Sequence, residues 1–279
     1  MNFVAEKQQA GRRPPVAMTI AGSDSCGGAG IQADLKTFAA LGVFGASALT
    51  AITAQNTAAV SGVSVLDPDF VGQQIAACFA DLPIAAIKTG MLANAEIARA
   101  VVEEIGRTRE IAGNRVPLIV DPVMIATSGA SLLDDRAIAT VWEELLPLAT
   151  LVTPNLPEAA ALTGRPVDTD PETLGALLLE SGVAAVLVKG GHAKGETCRD
   201  LLVVPGASTA FDWPRIAGEF HGTGCAYSAA ITALCARGHS LEVAISKSGA
   251  WLQQQIRGAF RPLHGSLGML PFTAEDDSG

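Results

Sequence analysis

Short β-branched and apolar runs alternate with helical patterns along most of this chain, and that alternation leaves few folds open. The runs are Val16–Ala21, Ala46–Thr53, Ala85–Thr89, Leu118–Val120, Leu151–Thr153 and Ala185–Val188. Helical periodicity falls between them, near Ile31–Leu41, Pro68–Phe79, Ala95–Gly106, Asp134–Leu146 and Pro171–Ser181. Strand and helix in regular succession predict an α/β domain, with a mostly parallel central sheet and helices on both faces. Ligands of such sheets gather at the carboxyl ends of the strands.

Those strand ends carry special residues here. Ala85–Thr89 contains Lys88 and leads into Gly90-Met91, and Leu118–Val120 leads into Asp121-Pro122-Val123-Met124. Leu151–Thr153 is followed by Pro154-Asn155-Leu156-Pro157-Glu158, and Ala185–Val188 by Lys189-Gly190-Gly191-His192. Any one of these, taken singly, reads more readily as a cap or a turn. Gathered on one rim they suggest electrostatic chemistry. Asn155 and Glu158, three apart at a helix start, suit a hydrated Mg²⁺, which keeps several waters and takes few carboxylates. Lys189 suits a nucleotide phosphate, and Asp121 adds charge to the metal or its waters.

Two glycine-rich turns complete the rim. His221-Gly222-Thr223-Gly224-Cys225 opens the apolar stretch Ala226–Leu234, so unpaired N–H groups and the positive end of a helix dipole can meet an anion there. The helix start gives Cys225 a reason for a lowered pKa, and a thiolate is expected. The other turn, Gly22-Ser23-Asp24-Ser25-Cys26-Gly27-Gly28-Ala29-Gly30, follows the first strand. Its Gly28-Ala29-Gly30-Ile31-Gln32-Ala33 fits G-x-G-x-x-G/A, but the acidic ribose partner expected about 20 residues on is missing. Thr37 to Leu66 holds no charged residue at all. A nicotinamide or flavin enzyme is disfavoured, and so is a P-loop protein, since no G-x-x-x-x-G-K-[ST] occurs.

Composition narrows the rest. With 279 residues, 49% of them hydrophobic, one domain over 16–272 is expected, with a flexible extension at 1–15 and a flexible acidic tail at 273–279. A net charge of −9 and no basic cluster beyond Arg12-Arg13 disfavour nucleic-acid binding. The uncharged stretch is interrupted by Gly42, Gly45, Gln55 and Asn56, which reads as a buried strand rather than a membrane span. The N-terminus lacks an apolar signal core, so a cytoplasmic protein is expected. Five cysteines with no C-x-x-C pair argue against both a disulfide framework and a zinc site.

Taken in order, these motifs resemble the hydroxymethylpyrimidine and phosphomethylpyrimidine kinases of thiamine biosynthesis, within the ribokinase-like superfamily. The resemblance runs from Thr19-Ile20-Ala21-Gly22-Ser23-Asp24 and Gly27 to Thr37, through Ala54-Gln55-Asn56-Thr57, Lys88 to Leu92, Asp121 to Met124, Thr153 to Ala159 and Lys189 to His192, to His221–Cys225. It implies ATP- and Mg²⁺-dependent phosphorylation of 4-amino-5-hydroxymethyl-2-methylpyrimidine and then of its monophosphate, in a homodimer. Gln55 is implied to bond the aminopyrimidine edge, with Gly22, Asp34, Met91 and Val123 around the ring. Glu158 resembles the acidic member of the metal motif with Asn155 beside it, and Lys189 a nucleotide-phosphate contact with Asp121 and Thr223. Gly222 to Gly224 resemble the anion hole, and Cys225 stands where the wider superfamily has an Asp base. Thr127 replaces a common Lys, and His264 to Gly268 is a loose match to the closing motif. A pyridoxal or pyridoxine kinase on the same scaffold is the nearest rival, and a catalytically silent binding protein the second.

Overall fold

The computed structural model describes residues 13–112, 116–124, 135–191 and 195–274. The strands are β1 (Val16–Ser23), β2 (Phe44–Gln55), β3 (Val60–Val65), β4 (Ile84–Thr89), β5 (Leu118–Val120), β6 (Leu151–Val152), β7 (Val186–Val188), β8 (Thr197–Val204), β9 (Ala207–Pro214), β10 (Phe220–His221) and β11 (Gly268–Met269). The helices are α1 (Gly30–Ala40), α2 (Pro68–Asp81), α3 (Ala95–Ala112), α4 (Asp135–Thr140), α5 (Leu156–Thr163), α6 (Pro171–Leu179), α7 (Thr223–Ala236) and α8 (Leu241–Arg257).

Nine strands form one sheet in the order β3-β2-β1-β4-β5-β6-β7-β8-β9. From β2 through β7 every neighbouring pair is parallel; β3, β8 and β9 are antiparallel additions. The chain steps outward from β1 to β2, then crosses back to lay β4 on the other side of β1. That reversal opens a crevice at the carboxyl ends of β1 and β4.

Both faces of the sheet are covered, which is why the central strands read as near-continuous apolar runs. Along β1, Val16, Met18 and Ile20 pack under α2 and α3 with Val71, Ile75, Ile97 and Val101, while Ala17 faces α1, α7 and α8 with Phe38, Ala226 and Trp251. Helix starts are written locally. Asp67 caps α2 through Asp69 and Phe70 N–H, Asp170 caps α6 through Thr173 N–H, and a proline follows each cap.

The expected strands and helices are present, with Leu118–Val120 as expected and other ends moved by at most six residues. The helix expected over Asp134–Leu146 differs: after α4 the chain makes a π turn at Val141–Leu145 and a 3-10 turn at Leu146–Leu148. Pro147 offers no N–H to continue the ladder, and Thr140 Oγ1 donates back to the Arg136 carbonyl at 3.0 Å. The β8–β9 hairpin, edge strand β3 and helix α8 were not anticipated. At the chain's ends, Phe44 N–H donates to the Pro15 carbonyl, and Thr273 exchanges hydrogen bonds with Gln255. Pro15 and Thr273 are thus bonded to the body of the fold. Thr127, His192 and most of both terminal segments lie outside the described residues. No helix among the described residues is long and apolar enough to cross a membrane.

Candidate active site

The carboxyl ends of β1, β2, β4, β5, β6 and β7 open into one cavity of about 810 Å³. Gly22, Gln55, Met91 and Val123 line one end of it, and Asn155, Glu158 and Lys189 another. Asp121, Gly222, Thr223, Gly224 and Cys225 also line it. Of the residues singled out in the sequence, Asp34 alone is placed elsewhere. It is fully buried behind the cavity wall, where Thr19 Oγ1 donates to it at 2.6 Å and Lys88 Nζ to both its oxygens at 2.9 Å. It therefore reaches the cavity only through Lys88, which does line it.

Lys88 is the group that sequence reasoning left without a role. Burial disfavours its ammonium, but the Asp34 charge and hydrogen bond together with Asp121 and Cys225 outweigh that and raise its pKa, so the cation persists in the core. The available signal was a single lysine inside a six-residue strand otherwise made of Ile, Ala and Thr. Its partner lies 54 positions away in sequence.

On the neighbouring strands, Asp121 accepts from Lys189 Nζ at 2.9 Å and more weakly from Thr153 and Ser228 at 3.4 and 3.3 Å. Burial would raise the Asp121 pKa, yet Lys189 and Lys88 together hold it down. Lys189 is raised in turn, Asp121 and Glu158 overcoming its burial. Asn155 and Glu158 form a reciprocal capping box at the start of α5: Asn155 Oδ1 accepts from Glu158 N–H at 2.9 Å, and Glu158 Oε2 from Asn155 N–H at 2.8 Å. Both residues thus hold the helix start while lining the cavity. Burial, with the nearby Asp121 charge, pushes Glu158 up to about 7 against the pull of Lys189.

Helix α7 begins at the junction of these two regions. Gly222, its N-cap, has φ +72°, and no side chain caps the first turn, so its leading N–H groups face the cavity. Lys189 Nζ comes within 3.3 Å of where a Cβ on Gly224 would stand. The expected Cys225 thiolate is corrected by the structure. Burial pushes the thiol up to about 11, with Asp121 and Asp34 adding to the rise and only Lys88 and the Gly30 amide opposing it. A helix N-terminus favours an anion by a fraction of what removal from water costs it.

Asp200, Trp213, Ile216, Gly249, Leu252 and Ile256 line a further part of the cavity. Asp200 fixes this wall by accepting from Gly190 N–H at 2.9 Å and Trp213 Nε1 at 3.0 Å. These residues come from the hairpin and helix that the sequence reading did not name. The Pro205-Gly206 turn was the local signal for the hairpin, and Gly206 takes φ +82° there.

The family described as phosphomethylpyrimidine kinase matches residues 24–269, which hold this whole constellation except Gly22. The chain belongs to that family. A hydroxymethylpyrimidine/phosphomethylpyrimidine kinase of Rhizobium meliloti (strain 1021) is 47% identical over 250 residues, covering 88% of this chain and 92% of the relative. The fold is similar to the crystal structure of phosphomethylpyrimidine kinase from Clostridium difficile 630, with a TM-score of 0.75 at 41% identity over 86% of this chain and 99% of the other. It is also similar to an ADP complex of Bacillus subtilis pyridoxal kinase, with a TM-score of 0.84 at 33% identity over 92% and 97%. Of these three, the two phosphomethylpyrimidine kinases have the higher identity and the pyridoxal kinase the higher TM-score. The ribokinase-like architecture is common to both.

Proposed function

We propose that this phosphomethylpyrimidine kinase family member transfers the terminal phosphoryl group of ATP to 4-amino-5-hydroxymethyl-2-methylpyrimidine and then to the monophosphate, in thiamine biosynthesis. The observation that carries the reading is the union, in one cavity, of a pocket containing Gln55 and Met91 with the uncapped start of α7 and the Asp121–Lys189–Glu158 group. Gln55 supplies a donor and an acceptor on one amide, which suits the adjacent amine and ring nitrogen of an aminopyrimidine.

Phosphoryl transfer of this kind depends on alignment and charge neutralisation more than on a strong base. The leading amides of α7 and the Lys189 ammonium receive the charge of the transferring group. The hydroxyl oxygen bonds to the γ-phosphorus as the bridge to the β-phosphate breaks. The hydroxyl proton passes late to an oxygen of the transferred phosphoryl group and then to solvent, because Cys225 Sγ already carries its own proton. With its thiol near 11, Cys225 orients the hydroxyl rather than ionising it beforehand, and Lys88 eases the proton transfer.

Mg²⁺ fits the other end. A buried carboxylate raised by burial and by a second carboxylate is a group that a divalent cation would restore to its charged form. Glu158 would hold the ion, with Asn155 and Asp121 acting on its waters; the bound ion supplies charge neutralisation at the phosphates. A homodimer is part of the proposal: Ile52, Val63 and Val65 are 46–49% exposed on the paired strands β2 and β3 at the edge of the sheet. Use of ATP and five free thiols favour a cytoplasmic setting.

The test is incubation with the pyrimidine alcohol, ATP and Mg²⁺ and identification of mono- and diphosphate by mass. Pyridoxal is run in parallel, because the superposition on pyridoxal kinases favours it as a second substrate. Turnover of pyridoxal alone would overturn the reading.

A further inference from the structure

The two glycine turns are joined through a single carboxylate. Asp24 Oδ2 accepts from Gly28 N–H at 3.0 Å and Ala29 N–H at 2.8 Å within its own turn, and it lies 2.8 Å from His221 Nε2 at the head of the phosphate loop. Because an ionised carboxylate only accepts, the imidazole nitrogen facing it carries the proton. His221 is buried, and among the described residues its Nδ1 has no partner. All of its side-chain hydrogen bonding there is spent on Asp24.

The contact is steric as well as polar. A Cβ on Gly28 would overlap His221 Cδ2, and one on Gly222 would overlap the Gly28 carbonyl, so the turns meet backbone to backbone only because both positions are glycine. The same first turn is fastened to the pyrimidine end: Ser25 Oγ donates to the Gln55 carbonyl and accepts from Gln55 N–H, each at 2.8 Å. Asp24 N–H donates to Gln32 Oε1 at 2.9 Å, and Gln32 Nε2 to Ser23 Oγ at 2.7 Å, which ties the turn back to α1 and β1. A rigid path thus runs from the Gln55 backbone through Ser25 and Asp24 to His221 and the first amides of α7.

We propose that Asp24 and His221 are positioning residues which lock the ring-binding turn to the phosphate loop, so that seating the acceptor alcohol fixes its oxygen against the N–H groups that receive the transferring phosphoryl group. The proposal rests on the kinase reading above and adds to it how two subsites 197 residues apart in sequence are held in register. Neither side chain exchanges protons in the reaction. Their loss is felt where alignment counts, in the transition state, since a displacement of an ångström there can cost on the order of 10²-fold.

The test compares His221→Ala, His221→Gln and Asp24→Asn with the wild type, in kinetics and in binding of ADP, Mg²⁺ and aluminium fluoride together with the pyrimidine alcohol, a mimic of the transferring group. For His221→Ala we expect kcat to fall roughly 30-fold and the mimic to bind more weakly by a similar factor, with both KM values within about 3-fold. His221→Gln, which keeps a donor near the Nε2 position, should recover much of the loss. Asp24→Asn, which loses the charge and one of the two oxygens that accept from His221 and the turn's amides, should fall roughly 100-fold. If His221→Ala keeps kcat within about 3-fold, if both KM values rise as much as kcat falls, or if Gln rescues no better than Ala, the two residues only hold the fold together. Because every result is a ratio to wild type with whichever alcohol the wild type phosphorylates, a wrong substrate assignment would show in the wild type and leave this comparison readable.

Discussion

Asp24 and Asp34 at the ring-binding end of the cavity and Glu158 at the proposed metal end are all buried, yet among the described residues the first two bond an imidazole and an ammonium and Glu158 bonds neither. At the first end each has its partners built in: Asp34 has Lys88 and Thr19, and Asp24 has His221 and three backbone amides. Burial raises Asp24, but His221, Gln55 and Cys26 outweigh it and hold the carboxyl well below the usual range. At the other end, Lys189 serves Asp121 directly, and Glu158 is left with backbone hydrogen bonding and a distant share of the same cation. A buried acid whose charge is already balanced is part of the framework, whereas one short of a counter-charge is where the proposed Mg²⁺ would bind.

Lys88→Met breaks the comparison most severely, because it leaves Asp34 buried without its counter-charge. We expect a loss of about 3–5 kcal/mol in urea unfolding, largely recovered when Asp34→Leu is added to it. A loss below about 1 kcal/mol would mean that water or another group replaces the lysine.

Cys225→Ala probes the junction. Its kcat should fall about 100-fold, what a displaced reacting hydroxyl costs, with both KM values little changed. In the wild type, alkylation by iodoacetamide should be slow at pH 7 and should accelerate steadily as pH rises toward 11, following the raised thiol. Fast labelling at neutral pH would restore the thiolate expected from the sequence.

At the metal end, Glu158→Gln should raise the Mg²⁺ concentration for half-maximal activity about 10- to 30-fold while keeping the capping box, since glutamine can accept the same Asn155 N–H. The sign of the stability effect is opposite to that of a paired acid. The folded protein holds a proton on Glu158 up to about pH 7 that the unfolded chain has released, so metal-free protein should lose about 2–3 kcal/mol as pH rises from about 4.5 to 7. The glutamine variant should lack that decline in a pH series of thermal melts without metal.

The smallest effect is expected at the ring. Gln55→Ala should raise the KM for the pyrimidine roughly 5- to 20-fold and leave that for ATP within about 2-fold, as one buried amide contact is lost. Equal rises in both would locate the damage in the turn that Ser25 fastens to Gln55 rather than in substrate recognition.

Much of this site was legible before any coordinates. Gly222 to Cys225, Asn155 with Glu158, and Lys189 are local signals: a glycine turn entering an apolar helix, a capping spacing, a cation at a strand end. Asp34 was implied as a ring contact by the family resemblance alone, yet its helix turns it inward onto Lys88. The hairpin of β8 and β9 stayed hidden because its outer strand is largely exposed and mixes Asp212 and Trp213 with small residues, which blurs the period-two pattern.

The sequence by itself determined the alternating elements, the mostly parallel sheet they require, and the rim on which the special residues collect, because periodicity, caps and turns act over a few residues at a time. Only the tertiary structure decided which charges neutralise one another. Lys88 finds Asp34 across 54 residues, Lys189 finds Asp121 across 68, and His221 finds Asp24 across 197. The protonation of Cys225 and Glu158 was decided at the same level. A pKa is set by how much water is excluded and which charges remain nearby, and both are properties of the packed site rather than of any segment of the chain.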